Sequence, residues 1–159
     1  MNVYTIGFTK KSASTFFELL GASGAQRLVD VRLNNVSQLA GFAKRDDLAY
    51  FLKTICAMDY VHLPVLAPTQ EMLDKYKKGG GTWDDYESQF MNLMRDRRIE
   101  KVVSHELIAD GCLLCSEDRP HNCHRRLVAE YLQQEWGRSS YIICTRASNR
   151  EAHASRSEA

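Results

Sequence analysis

Short apolar runs alternate along the chain with longer segments in which apolar residues recur every three or four positions. A short apolar run bounded by turn residues is typical of a buried strand, and the longer spacing is typical of a helix with one face on a core. The predicted strands are residues 3–6, 27–31, 60–63, 112–115 and 141–144. The predicted helices begin after Ser12 or Ser14, cover residues 46–57, 71–77 and 99–109, and follow Thr82 and Asn122.

Strands that alternate with helices predict an α/β fold with a mainly parallel sheet of about five strands, flanked by helices. The 159 residues of the chain suit one domain with a hydrophobic core of its own. We therefore expect a single α/β domain over residues 1–145. Residues 146–159 are polar and lack apolar periodicity, which predicts a disordered C-terminal tail.

Composition narrows the possible settings of this domain. No apolar run is long enough to span a bilayer, and the N-terminus lacks a basic segment followed by an apolar one, so we expect a cytoplasmic protein. Five cysteines are an odd number, which argues against a full disulfide framework. The net charge of +1 gives no indication of a nucleic-acid partner and leaves one open. The oligomeric state and any cofactor are not indicated.

Chemically versatile residues cluster where the predicted strands end. In parallel sheets, ligands bind beyond the carboxyl ends of the strands. Side chains from four separate segments are therefore expected to meet at one edge of the sheet. They are Gly7 and Thr9, Asp30 and Arg32, His62, and Cys115 with Glu117.

Two cysteines flank the polar loop between the fourth strand and the helix after it. Cys115 should leave the strand, and Cys123 should enter the helix after an N-cap at Asn122. A helix N-terminus and nearby arginines favour a thiolate, so we expect the pKa of Cys123 to lie below its usual value. Cys112 should face the opposite side of the strand from Cys115 and pack as a small core residue.

These residues support the hypothesis of an anion-binding site for a phosphate or nucleotide-like ligand. Arg32 and Arg125 would converge on the anion, with Gly7, Thr9, His62 and Glu117 as further ligand-binding candidates. If the protein is an enzyme, which the sequence leaves open, Cys115 or Cys123 would be the nucleophile. Asp30 or His124, which should face the sheet, would then move protons.

Two alternatives remain. Cys115, Cys123 and His124 could instead be metal ligands, or the pocket could belong to a non-catalytic binding domain.

The motifs of three common phosphate-binding classes are absent from the sequence. There is no Cys-x5-Arg loop after Cys115 or Cys123, no Walker-type Gly-Lys-Ser/Thr and no Gly-x-Gly-x-x-Gly.

Several short motifs together resemble the domain of unknown function 488 family. They are Thr5-Ile6-Gly7, Val29-Asp30-Val31-Arg32, Tyr60-Val61-His62-Leu63-Pro64, Tyr76-Lys77-Lys78-Gly79 with Trp83, Leu113-Leu114-Cys115-Ser116-Glu117, and Cys123-His124-Arg125-Arg126. The resemblance implies a fold and a site without an established reaction. One departure is Leu66-Ala67-Pro68, where relatives often have Leu-Gly-Gly, so a close backbone approach there is in question. A fainter similarity links the Asp-x-Arg segment and the cysteine loop to rhodanese-like domains.

Overall fold

A computed structural model describes residues 2–36, 40–137 and 140–143 of the chain. The predicted C-terminal tail and Cys144 lie outside these described residues. None of the helices in this part of the chain combines the length and the apolar composition that a membrane span requires.

The centre of the fold is a parallel sheet of five strands, as the sequence predicts. The strands are β1 (Asn2–Gly7), β2 (Arg27–Asp30), β3 (Asp59–His62), β4 (Gly111–Cys115) and β5 (Ser140–Ile143). Their order across the sheet is β3-β2-β4-β1-β5, and each paired neighbour is parallel. β4 therefore lies between β1 and β2, with Cys115 in register with Gly7.

Seven α-helices connect and cover the strands in the described part of the chain. They are α1 (Ala13–Ser23), α2 (Arg45–Cys56), α3 (Gln70–Lys77), α4 (Trp83–Asp96), α5 (Ile99–Val102), α6 (His105–Ile108) and α7 (His124–Trp136). The predicted caps at Ser12 and Thr82 are confirmed, because each side-chain oxygen accepts a hydrogen bond from the backbone N–H three residues later.

The predicted single helix over residues 99–109 is wrong. Val103 and Ser104 are extended, and they separate α5 from α6. The Ser104 hydroxyl accepts a hydrogen bond from the backbone N–H of Leu107 at 3.3 Å, so it caps a new helix. A serine side chain offers the backbone this alternative to continuing a helix, which apolar periodicity alone does not reveal.

Each face of the sheet carries its own hydrophobic core. One core packs α1 and α2 against the sheet, and the other packs α3 to α7 against the opposite face. Cys112 and Leu114 belong to the first core, whereas Leu113 belongs to the second. The alternation confirms that Cys112 is a buried core residue on the opposite face from Cys115.

Gly7 allows the loop after β4 to lie directly on the end of β1. A Cβ atom at this position would be 1.6 Å from the carbonyl oxygen of Glu117 and 2.9 Å from Nη1 of Arg125. The glycine is therefore required for a close backbone approach. This contact fixes the position of the polar loop relative to the sheet.

The substitution Gly7→Ala is expected to lower the free energy of unfolding by about 3 kcal/mol, since the loop must move to admit the methyl group. Urea denaturation followed by circular dichroism measures the change. Gly41→Ala is the matched control, because a Cβ atom there meets nothing within 4 Å. Equal stability of the two variants would contradict the close approach.

Candidate functional site

The site begins where β4 ends at Cys115 and α7 begins after Cys123. The N-cap of α7 is Cys123 and not Asn122, which corrects the sequence prediction. Cys123 has the extended backbone of a cap, yet its side chain makes no capping hydrogen bond. The side chain instead lies next to Cys115, and the first-turn N–H groups and positive dipole end of α7 are directed toward the loop.

His124 joins α7 to the sheet and to Cys115. Its side chain is buried, and Nε2 donates a hydrogen bond to the carbonyl oxygen of Val31 at 2.8 Å. This bond leaves Nδ1 to face Cys115 Sγ at 3.6 Å. The prediction that His124 faces the sheet is therefore confirmed, and the imidazole is held in one orientation.

The Cys115 thiol and the His124 imidazole shift each other's pKa in opposite directions. Burial alone raises the pKa of Cys115, but the Cys123 hydrogen bond and the positive charges of His124 and Arg125 together lower it well below the usual value. Burial lowers the pKa of His124, yet the Cys115 thiolate opposite it reverses the effect and raises the pKa. Both shifts favour a thiolate at Cys115 beside an imidazolium at His124.

The expectation that the Cys123 pKa is lowered is wrong. Burial and the adjacent Cys115 thiolate raise the pKa of Cys123 well above its usual value. A second negative charge beside the first is unfavourable, so ionisation of one thiol keeps the proton on the other. Cys115 holds the charge because His124 faces it. The charge of Arg125, one of the arginines that guided the sequence prediction, acts on both sulfurs.

Arg125 is a fully buried cation that holds the loop in place. Its guanidinium donates hydrogen bonds to the carbonyl oxygens of Glu117 and, at 3.1 Å, Asp118, and lies 3.7 Å from Cys123 Sγ. In the described part of the chain it forms no ion pair with a carboxylate. A buried charge requires compensation, which a thiolate at Cys115 would supply, because the charge of Arg125 acts on that sulfur.

Asp30 is occupied by structural hydrogen bonds. Its carboxylate accepts from Nε and Nη2 of Arg32, both at 2.8 Å, and from the Tyr60 hydroxyl at 2.7 Å. Burial and the bond to Asp30 raise the pKa of Tyr60 above its usual value. Nη1 of Arg32 is buried and has no hydrogen-bond partner. The pair thus leaves one guanidinium nitrogen without a hydrogen bond.

The remaining predicted residues support the loop and the strand ends. Thr9 donates hydrogen bonds from its hydroxyl and backbone N–H to the Ser116 carbonyl oxygen. His62 Nε2 lies 2.9 Å from the carbonyl oxygen of Arg32. Together with Gly7 under Glu117, these contacts fix the backbone around the site, and none of the three residues lines the cavity.

A cavity of about 220 Å³ opens over the two thiols. Of the predicted site residues, Arg32, Glu117, Cys115, Cys123 and His124 line it. Sequence reasoning missed most of the opposite wall, which consists of Leu33, Asn34, Pro68, Leu73, Tyr76, Lys77, Trp83 and Tyr86, together with Ser116 and Asn122 of the loop. The Tyr-Lys-Lys-Gly motif and Trp83 were the sequence features that could have indicated this wall.

A larger groove of about 700 Å³, between α1 and α2, is lined mainly by apolar side chains.

The loop that departs from the family pattern needs no glycine. Ala67 has φ −87° and ψ 153°, which any residue adopts. The carbonyl oxygens of Val65 and Ala67 accept hydrogen bonds from Nη1 of Arg97 at 2.7 and 2.6 Å. Alanine and proline at positions 67 and 68 are therefore compatible with this loop, and Pro68 forms part of the cavity wall.

The two sulfurs and the imidazole form a compact group of potential metal ligands. Cys115 Sγ, Cys123 Sγ and a ring nitrogen of His124 all lie within 4.8 Å of one another, and all three residues are buried. The bond from Nε2 to Val31 is typical of the second shell that orients a metal-ligating histidine. The donor set therefore fits a Cys2His metal site as well as a thiolate–imidazolium pair.

Comparison with known proteins identifies a family. A model of the family described as domain of unknown function DUF488 matches residues 12–132, which include the loop and both thiols. Comparisons with curated proteins and with solved structures found no match.

Proposed function

For this chain, which belongs to the family of the domain of unknown function DUF488, we propose that it is a cysteine-dependent enzyme acting on a small anionic ligand. The single observation that carries this proposal is the contact of 3.6 Å between Cys115 Sγ and His124 Nδ1 beneath a cavity. A thiolate held next to an imidazolium is an activated nucleophile with an acid beside it. This arrangement supports attack on an electrophilic atom in the cavity.

Each of the three central residues then has a distinct role. Cys115 attacks the ligand, and His124, whose Nδ1 faces the sulfur, donates a proton to the leaving group. Arg125 is a positioning residue, because it holds the loop carbonyls and balances the thiolate charge without lining the cavity. Cys123 Sγ, next to Cys115 Sγ, remains protonated.

An anionic group on the ligand is supported by two cations at the cavity. Nη1 of Arg32 has no partner, although Asp30 holds the other side of its guanidinium. Lys77 lines the rim at the end of α3. A volume of about 220 Å³ favours a phosphate-sized group or a small phosphorylated compound over a large ligand.

The test is alkylation with iodoacetamide at pH 6, followed by peptide mass spectrometry. Cys115 is expected to be modified first, because its thiolate persists at a pH where an ordinary thiol is protonated. Cys123 and Cys112 should react slowly, the former being protonated and the latter buried on the opposite face. Equal slow labelling of the cysteines would remove the nucleophile and favour a non-catalytic binding domain.

The same assay tests the anionic ligand. Inorganic phosphate is expected to slow the alkylation of Cys115, since an anion beside Arg32 blocks the cavity. Arg32→Lys keeps a cation next to Asp30 and removes Nη1, so this variant should lose the protection while its thiol still reacts. Protection that survives in Arg32→Lys would contradict the role of Nη1.

Metal binding is the second candidate function, and the mutual approach of the three ligand atoms within 4.8 Å favours it. Cys115, Cys123 and His124 would hold the metal, with the fourth position open to the cavity. Elemental analysis of untagged protein tests this function. If the protein contains one equivalent of zinc and Cys115 is alkylated only after chelation, the site is a metal centre and Cys115 is not a free nucleophile.

A further inference from the structure

We propose that Cys115 and Cys123 form a redox-active pair, which closes to an intramolecular disulfide when a small hydroperoxide oxidises Cys115. This activity goes beyond the proposed function, because it requires neither the anionic ligand nor its binding by Arg32. It assigns Cys123 the role of a resolving thiol.

The geometry of the two sulfurs carries the proposal. Their Sγ atoms lie within 4.8 Å of each other, and a disulfide requires about 2.05 Å, so a short side-chain movement closes the bond. Both thiols line the same cavity. Cys115 is fixed at the end of β4, whereas Cys123 precedes α7, where a rotation about its Cα–Cβ bond disturbs no capping hydrogen bond.

The identity of the N-cap residue is a second, independent observation. Serine, threonine, aspartate and asparagine are preferred at an N-cap, and replacing them with a side chain that cannot cap destabilises the helix. Cys123 occupies this position without capping, and its sulfur contacts Cys115 and the Arg125 guanidinium instead. A local rule broken next to a reactive group is typical of a functional site.

The surroundings restrict both the partner thiol and the oxidant. Cys112 lies on the opposite face of the sheet, and Cys56 contacts the Phe17 carbonyl oxygen on the α1 side. Among the described cysteines, Cys123 is therefore the thiol next to Cys115. A cavity of about 220 Å³ admits hydrogen peroxide and small organic hydroperoxides, but it excludes a disulfide carried by another protein.

The chemistry balances in two steps. The Cys115 thiolate attacks the terminal oxygen of the hydroperoxide, the O–O bond breaks, and the alkoxide or hydroxide that leaves takes a proton from His124. Cys115 is then a sulfenic acid, oxidised by two electrons. The Cys123 sulfur attacks that sulfur, the S–O bond breaks, the S–S bond forms, and hydroxide leaves with the Cys123 proton as water.

Hydrogen peroxide titration of the 159-residue protein, after treatment with a chelator, tests the pair. Remaining thiols are alkylated, and the protein is digested without reduction for mass spectrometry. We expect a disulfide between the peptides that contain Cys115 and Cys123, with Cys112 still in its reduced thiol form. Thermal denaturation confirms that each variant is folded before oxidation.

Three variants separate the possible outcomes. Cys112→Ser should form the disulfide as the natural sequence does, and Cys115→Ser should not form it. Cys123→Ser should stop at the sulfenic acid, which dimedone traps, and should then be oxidised further to the sulfinic acid. Equal over-oxidation with and without Cys123, or a disulfide from Cys115 to another cysteine, would overturn the proposal. A disulfide that never forms in the folded protein would do so as well.

Discussion

Replacement of Asp30 by alanine is expected to lower the free energy of unfolding by about 3–5 kcal/mol, the range for breaking a buried ion pair from one side. Asp30 is fully buried, and its carboxylate accepts hydrogen bonds from Arg32 and Tyr60. The variant leaves the Arg32 guanidinium buried without its counterion. Urea denaturation of the purified variant measures the loss.

A double substitution and a surface pair complete this test. Asp30→Ala combined with Arg32→Met removes both charges and should be more stable than Asp30→Ala alone. Asp59→Ala breaks the pair with Lys53, in which both side chains are 71% exposed, and should change stability by no more than about 0.5 kcal/mol. A loss below 1 kcal/mol in Asp30→Ala would mean that water compensates the charge of Arg32.

The second large effect concerns the reactivity of Cys115. His124→Gln is expected to reduce its alkylation at pH 6 by about tenfold or more, because the imidazolium that stabilises the thiolate is lost. Glutamine retains an N–H donor for the Val31 carbonyl oxygen, so the substitution removes the charge with little effect on packing. The lowered pKa of Cys115 predicts that its rate of alkylation in the wild-type protein changes little as the pH falls from 8 to 6. In the variant, the rate of alkylation of Cys115 should fall steadily over this range.

The controls for His124→Gln are internal. Cys56, on the α1 side of the sheet, reports in the same sample on reagent activity and should react alike in both proteins. Burial raises the pKa of Cys56, so its rate should fall as the solution becomes more acidic. An unchanged pH profile for Cys115 in the variant would show that the thiolate does not depend on His124.

The sheet and the placement of the two reactive segments could be predicted from the sequence because they depend on local patterns. Side chains alternate between the two faces of a strand, which predicted that Cys112 and Cys115 lie on opposite faces. Apolar residues three and four positions after His124 predicted that His124 faces the sheet. The separation of α5 from α6 could not be predicted in this way, since Ser104 fits both a helix and a cap. The apolar pattern around it is the same in either case.

The distribution of charge within the site depended on contacts that the sequence does not contain. The loop arginines suggested a lowered pKa for Cys123, but His124 lies next to Cys115 and places the charge there. Arg125 looked like a ligand-binding residue, yet the carbonyl oxygens of Glu117 and Asp118 occupy it. Such pairings depend on side-chain directions and distances of a few ångströms.

The position of β4 between β1 and β2 has a consequence for how a newly synthesised chain acquires this site. β1 and β2 are complete by residue 30, and the strand that pairs with both begins at Gly111. In the finished sheet, β1 and β2 lie about 10 Å apart with β4 between them. Until β4 is synthesised, the edges of β1 and β2 that will pair with it expose unpaired backbone groups. Insertion of β4 closes both edges in one late, non-local event. Backbone amides in β1, β2 and β4 should therefore become protected from hydrogen exchange together, at the same moment that Cys115 reaches His124.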